Sequence, residues 1–171
     1  MINYFMKTLR IGFSRWKSED LQLAVRLWGN EKVSQYITST GKFTEKEIED
    51  RLKLEIKNQD EYKIQYWSIF LLETDEFIGC CGLRPYSSEN KIFEIGFHLL
   101  PEFWKMRYGS EAANGVINYA IDTLKADSLF AGHNPKNSNS AKLLLHLGFT
   151  YTHDEFYKPT GLNHPSYIYR I

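Results

Sequence analysis

The sequence has little cysteine, and the little it has excludes two kinds of protein. Cys80 and Cys81 are the only cysteines, and they are adjacent. Neighbouring cysteines rarely bridge each other, which excludes a disulfide-stapled scaffold. Their spacing does not fit a zinc site, so we expect no metal. We expect both thiols to lie in a strand as small apolar side chains.

Excess charge and long apolar runs are also missing. Acidic and basic residues number 21 each, so the formal net charge is zero and no bulk positive field would attract nucleic acid. No segment is apolar enough to cross a bilayer, and Lys7 and Arg10 interrupt the N-terminal stretch, which is therefore unlike a signal peptide. We expect a cytoplasmic protein, a monomer or a homodimer, without nucleic-acid or membrane partners.

The sequence has enough apolar and aromatic residues to form one hydrophobic core. The chain has 171 residues, of which 43% are hydrophobic and 15% aromatic. That length fits one domain, which we predict over residues 8–171. Because no linker or repeat divides the chain, all the elements below are expected to share one core.

Hydrophobic periodicity and turn residues predict a mixed α+β domain of order β-α-α-β-β-β-α-β-α-β-β. Ser18 is expected to cap the first helix, and the T-x-x-E box of Thr44–Glu47 opens the second, whose Lys and Glu residues are expected to face solvent. The predicted strands span residues 8–15, 66–72, 77–84, 92–100, 128–133, 149–157 and 166–171, with turns over 74–76 and 86–90 and a loop over 161–165. The later helices span 108–124 and 137–147, the last stopped by Gly148.

A candidate anion site follows the third central strand. The strand ends at Pro101, and a short loop then enters a helix near Tyr108. Helix N-termini carry free N–H groups and partial positive charge, to which Lys105 and Arg107 add full charges. Taken alone the pattern is weak, because many helices begin with basic residues and bind nothing.

A second motif makes the first more specific. Asn137 and Ser140 form an N-x-x-S pattern, followed by Leu147-Gly148-Phe149. Together with the loop of residues 104–109 and the stretches 26–33 and 94–97, this order resembles the GNAT superfamily. The resemblance covers the chain from about residue 8 onwards and is closest to the branch that acetylates ribosomal-protein N-termini.

The resemblance implies the GNAT acyl-CoA N-acyltransferase fold, a central mixed and mostly antiparallel β-sheet flanked by helices. It also implies acetyl-CoA as a co-substrate, with no metal. The residues it assigns to acetyl-CoA binding are Leu99, Leu100, Lys105, Met106, Arg107, Tyr108, Gly109, Ser110 and Asn137. A backbone N–H of Leu99 or Leu100 would stabilise the oxyanion.

Three positions depart from the family pattern. Trp104 replaces the first Gln or Arg of the acyl-CoA loop, and Arg107 replaces a loop glycine. Leu144 stands where many relatives carry a tyrosine that protonates the CoA thiolate. With that hydroxyl missing, the resemblance makes Ser140 the candidate for contacting the thiolate, although it could instead only cap its helix.

The predicted strand over 92–100 supplies a candidate base. Alternation places Glu94, Gly96 and His98 on one face. Partial desolvation should raise the pKa of Glu94, and relatives use a glutamate here as the base. Glu94 could also be an ion-paired surface residue. His98 could relay a proton, line the substrate pocket or be purely structural.

Two functions of different classes remain. The first is transfer of an acetyl group from acetyl-CoA to a primary amine, on a protein N-terminus or a small molecule, by direct attack in a ternary complex. The alternative is a non-catalytic acyl-CoA-binding or regulatory module on the same fold. A nucleotide-binding module is disfavoured, because the chain has neither a G-x-G-x-x-G nor a P-loop motif.

Overall fold

The computed structural model describes residues 1–87 and 89–171. The strands are β1 (Met6–Lys7), β2 (Ile11–Ser14), β3 (Tyr66–Leu71), β4 (Phe77–Ser87), β5 (Ile92–Leu99), β6 (Ser128–Gly132), β7 (Thr150–Tyr157) and β8 (Leu162–Arg170). The α-helices are α1 (Leu21–Trp28), α2 (Glu31–Ser34), α3 (Glu45–Tyr62), α4 (Tyr108–Asp122) and α5 (Ser138–His146). Ser88, within the predicted turn over 86–90, lies outside the described residues.

One sheet contains all eight strands, in the order β1-β2-β3-β4-β5-β6-β8-β7. Every neighbouring pair is antiparallel except β5 and β6, which run parallel. The long α4 crossover between β5 and β6 is what a parallel connection requires. The predicted mixed, mostly antiparallel sheet flanked by helices is therefore confirmed.

The N-terminal region differs from the prediction in two ways. Residues 8–15 are not one strand, because the chain turns at Thr8, whose N–H donates to the Ile11 carbonyl (2.9 Å), and β1 pairs with β2. Ser18 is not the cap. It begins a 3₁₀ turn, and Asp20 Oδ2 accepts the Lys17 N–H at 2.8 Å.

The structure also adds α2 and lengthens the last strand. Asn30 caps α2 by accepting the Lys32 N–H at 3.0 Å. The predicted loop over 161–165 is wrong, because Gly161 turns tightly with a φ of 70° and β8 begins at the next residue. Pro165 is tolerated there because pairing with β6 starts only at Ser166.

The core confirms the periodicities around α4 and β4. Helix α4 buries the stripe Ala112, Ala113, Val116, Ile117 and Ala120 and packs against β4 and β5. Its three alanines let the helix approach the sheet closely. Cys80 and Cys81 are buried free thiols of β4, as expected, and burial raises the pKa of Cys80 to about 12.

Candidate active site

The parallel strands β5 and β6 separate halfway along their length. Their pairing runs from Ile92 opposite Ser128 to Glu94 opposite Phe130, whereas β5 continues to Leu99. Beyond Glu94, the edge of β5 that faces β6 therefore presents backbone groups that β6 does not bond. Such an edge can hydrogen-bond an extended ligand that carries amide groups.

A cleft of 310 Å³ lies on the sheet where these strands separate. It is lined by β5, β6, α5, the segment that includes α2, and the β7–β8 hairpin. The site side chains that line it are Arg51, Tyr66, Arg84, Glu94, His98, Asn137, Ser140 and Leu144. The Ser39 N–H donates to the Pro159 carbonyl (2.7 Å), so the loop after α2 is bonded to the turn of the β7–β8 hairpin.

Glu94 is half-buried in the cleft wall and shares a face with Gly96 and His98, as alternation predicts. The Tyr66 hydroxyl donates to Glu94 Oε1 at 3.1 Å. Only glycine at position 96 allows this contact, because a Cβ there would lie 2.3 Å from the Tyr66 ring. Burial raises the pKa of Glu94, against the opposing effects of Arg84 and the Tyr66 hydrogen bond. A carboxylate with a raised pKa is suited to accept a proton near neutral pH.

Glu55, a buried carboxylate of α3, fixes the backbone of Tyr66. Glu55 Oε2 accepts the Tyr66 N–H at 2.8 Å, and Glu55 Oε1 contacts Arg84 Nη2. The predicted solvent-facing role of the α3 acids is therefore wrong at Glu55, which has no exposed surface. The sequence does contain an indication that Glu55 is buried, because it follows Ile48 and Leu52 at helical spacing on the apolar stripe.

His98 is held as a neutral imidazole. Its Nδ1 accepts the Trp28 Nε1–H at 3.2 Å, which leaves the ring proton on Nε2. Burial, followed by the charges of Arg51 and Arg84, places the pKa of His98 well below its usual value. In this arrangement His98, which lines the cleft, can donate a hydrogen bond from Nε2 and is poorly suited to be a base.

Helix α5 brings Ser140 to the cleft. Asn137 is the N-cap, because its Oδ1 accepts the Ser140 N–H at 3.3 Å, so Ser140 does not cap the helix. Leu144, one turn further on, also lines the cleft and is 1% exposed. The position of the family tyrosine thus faces the cleft without a hydroxyl group, and Ser140 supplies one nearby.

The predicted acyl-CoA loop lies outside the lining of this cleft, at the end of β5. A Cβ at Gly109 would lie 3.5 Å from both Leu99 and Leu143, so the start of α4 packs between β5 and α5. Among the described residues no side chain caps α4. The N–H groups of Tyr108, Gly109 and Ser110 are consequently available to an anion.

Arg107 shows why relatives place glycine in this loop. It has a φ of 64°, the left-handed conformation that costs a non-glycine residue about 1–2 kcal/mol. Arg10 braces the loop, because its guanidinium donates to the Met106 carbonyl at 3.3 Å and lies over the Tyr108 ring. Glu111 fixes Arg10 through a 2.7 Å ion pair. The exposed side chains of Lys105, Met106 and Arg107 extend into solvent beside the helix start.

One of the two proposed oxyanion donors is already engaged. The Leu100 N–H donates to the Ile78 carbonyl at 2.9 Å. Successive N–H groups of a strand point to opposite sides, so the Leu99 N–H is directed towards the edge where β5 and β6 separate. Only Leu99 remains a candidate.

Residues 1–87 and 89–171 show neither a metal-binding cluster nor a membrane-spanning helix. They contain no group of three His, Cys, Asp or Glu side chains placed to hold a metal ion. No helix formed by them is long and apolar enough to span a membrane.

Comparison with known proteins places this geometry in a family. An N-acetyltransferase of Bacillus licheniformis, named p20 and uncharacterized, is 30% identical over 142 residues, 83% of this chain and 80% of that protein. A GNAT-family acetyltransferase from Bacillus anthracis has a TM-score of 0.82 at 19% identity, covering 96% of this chain and 97% of that one. RimL, a ribosomal L7/L12 alpha-N-protein acetyltransferase solved with coenzyme A, has a TM-score of 0.83 at 13% identity and covers 99% of this chain and 98% of its own.

The family profile described as "Acetyltransferase (GNAT) domain" matches residues 10–150. The match includes β5, the loop before α4, and α5. The resemblance inferred from the sequence motifs is confirmed, with RimL among the structural neighbours. The chain belongs to the GNAT family of acetyl-CoA-dependent acetyltransferases.

Proposed function

We propose that the protein transfers an acetyl group from acetyl-CoA directly to a primary amine within a ternary complex. The observation that carries this proposal is the half-buried Glu94 carboxylate in the wall of a cleft, at the point where β5 and β6 separate. The raised pKa of Glu94 suits it to deprotonate an amine. The adjacent free edge of β5 can bind an extended acyl donor. Family membership favours this enzyme over the non-catalytic module.

Acetyl-CoA would lie along the free edge of β5, with its phosphates at the N-terminus of α4. The N–H groups of residues 108–110 would bind the pyrophosphate, and Lys105 and Arg107 would add charge-assisted contacts. The bracing of Met106 and Tyr108 by Arg10 keeps this loop in place without ligand. Preorganisation of this kind lowers the entropic cost of binding.

In the transfer step, Glu94 would accept the proton of the acceptor amine, whose nitrogen then attacks the thioester carbonyl. The Leu99 N–H would stabilise the resulting oxyanion. Collapse of this intermediate forms the amide bond and breaks the carbon–sulfur bond. The thiolate that leaves would take a proton from Ser140, whose hydroxyl would be restored by the second proton that the nitrogen loses as the amide forms.

Thiol release from acetyl-CoA in the presence of amines tests the function. The panel should contain N-terminal peptides, polyamines and amino acids, with mass spectrometry to identify the acetylated product. We expect thiol release that depends on an amine and one new amide per thiol. CoA binding without turnover on any amine would instead support the non-catalytic module.

Ser140→Ala should lower kcat by about 10- to 100-fold, at the lower end of what a positioned proton donor contributes. The KM for acetyl-CoA should change little, because the lost contact matters only as the thiolate leaves. Ser138→Ala is the matched control, since Ser138 is exposed on the first turn of the same helix. An unchanged kcat in Ser140→Ala would show that another group or water protonates the thiolate.

A further inference from the structure

The cleft wall contains two arginines, and among the residues that the structure describes only Arg84 has a carboxylate partner. Arg84 contacts the buried Glu55. For Arg51, no carboxylate oxygen of residues 1–87 and 89–171 lies within 4.0 Å, and its buried Nε has no hydrogen-bond partner among them. A partly buried cation without a counter-ion is costly, so the site favours an anion supplied from outside the protein.

Aromatic rings hold the Arg51 side chain in place. Its guanidinium lies 5.0 Å from the centroid of Trp28 and 5.6 Å from that of Phe43. Trp28 is in turn fixed by its hydrogen bond to His98. Stacked in this way, a guanidinium keeps its edge N–H groups for a planar anion such as a carboxylate. Burial, followed by the positive charge of Arg84, lowers the pKa of Arg51, which is the effect that a bound anion would relieve.

The same wall contains a carboxylate without a cationic partner. None of the described Lys, Arg or His nitrogens lies within 4.0 Å of the Glu94 carboxylate. Glu155, exposed on β7, lines the same cleft and acts with burial to raise the pKa of Glu94. Arg51 lines the same 310 Å³ cleft as Glu94, so both unpaired groups face one small cavity. The cleft thus offers a carboxylate to an amine and a cation to an anionic group.

We propose that the acetyl acceptor is a small amine that also carries a carboxylate, such as an amino acid, with its carboxylate on Arg51 and its amine at Glu94. This inference rests on the proposed function and narrows its substrate class. A cleft of 310 Å³ is at the small end of ligand sites. A polyamine offers no group to Arg51.

Matched acceptor pairs test the proposal on the unaltered enzyme. Each amino acid of a panel is compared with its own α-amide, which keeps the amine and side chain and removes the negative charge. We expect kcat/KM for the acid to exceed that of the amide by about 10- to 100-fold, the size of a lost charge-assisted hydrogen bond. The amine of the α-amide loses its proton more easily than the amine of the free acid. Amine reactivity alone would therefore favour the amide, so a preference for the acid must come from its carboxylate.

Arg51 variants assign the effect to the residue. Arg51→Gln should reduce the acid-to-amide ratio to near one, and Arg51→Lys should retain part of it, because the charge remains but the planar fork is lost. Arg15→Gln is the control, since Arg15 also stacks on an aromatic ring, that of Phe5, but is exposed outside the cleft. Neither Arg51 variant should change the KM for acetyl-CoA.

The possible results distinguish failure of this acceptor assignment from failure of the proposed acetyltransferase function. Acetylation of amides or polyamines as well as acids would overturn the proposal and leave the acetyltransferase intact. A raised KM for acetyl-CoA in Arg51→Gln, with an unchanged acid-to-amide ratio, would also overturn it, by assigning the arginine to the other substrate. Absence of transfer to any amine would refute the proposed function, and the acceptor assignment with it.

Discussion

Glu94→Gln should reduce kcat/KM at neutral pH by about 100- to 10,000-fold, the usual contribution of a general base. The amide keeps the shape of the side chain and can still accept the Tyr66 hydroxyl, but it cannot take a proton. Binding of acetyl-CoA, measured by calorimetry, should barely change, because Glu94 lies away from the α4 N-terminus. The loss should therefore appear in the chemical step.

The pH dependence gives the sharper test. Because burial raises the pKa of Glu94, the wild-type rate should rise with pH through a value above that of an ordinary carboxyl group, as the base becomes ionised. Glu94→Gln should lack this acid limb. Its deficit should narrow at high pH, where the amine loses its proton to solvent.

A second carboxylate of the same cleft provides the control for Glu94. Glu155→Gln removes an exposed carboxylate from β7 and should change the rate only a few-fold. If Glu94→Gln kept wild-type rates from acid to alkaline pH, the amine would have to lose its proton elsewhere. His98 would be a poor substitute, since its Nδ1 is engaged by Trp28 and its Nε2 carries the proton.

Glu55→Ala should destabilise the fold by about 3–5 kcal/mol, the usual cost of breaking a buried ion pair by removing one partner. The substitution leaves Arg84 without its carboxylate and the Tyr66 N–H without an acceptor. Since whole domains are stable by only about 5–15 kcal/mol, urea unfolding should show a large fall in midpoint. Tyr66 and hence Glu94 would also lose their support.

Two variants isolate the cause of that destabilisation. Glu49→Ala removes a half-exposed glutamate of the same helix, 3.9 Å from Lys53, and should cost no more than about 0.5 kcal/mol. Adding Arg84→Met to Glu55→Ala should restore part of the lost stability, because it removes the uncompensated charge. A Glu55→Ala protein within 1 kcal/mol of wild type would mean that water replaces the carboxylate.

Most of the secondary structure could be predicted because it depends on local signals. The Thr44–Glu47 capping box, the stripe of α4 and the stop at Gly148 each lie within a few turns of chain. The local errors also have local causes. Asp20 caps the backbone from inside the predicted helix, and Gly161 makes a turn shorter than the predicted loop over 161–165.

Of the candidate site, the sequence predicted the face of β5 that carries Glu94 and His98 and the helix starts near Tyr108 and Asn137, whereas the cap on the second of these helices is Asn137 and not Ser140. Alternation and helix-start signals depend only on neighbouring residues, so these could be read directly. The role of each residue remained a prediction that needs the experiments above. Whether His98 is a base or a donor depends on Trp28, which is 70 residues away.

The sequence by itself determined the family, the order of the main elements from α3 onwards and which residues share a strand or helix face, because those follow from short-range periodicity and motif order. Only the tertiary structure decided which charges meet. Glu55 joins Arg84 and Tyr66 across three elements, while Arg51 and Glu94 remain without ionic partners among the described residues. The physical reason is that desolvation and ion pairing depend on distances between elements, and no local pattern of residues specifies those distances.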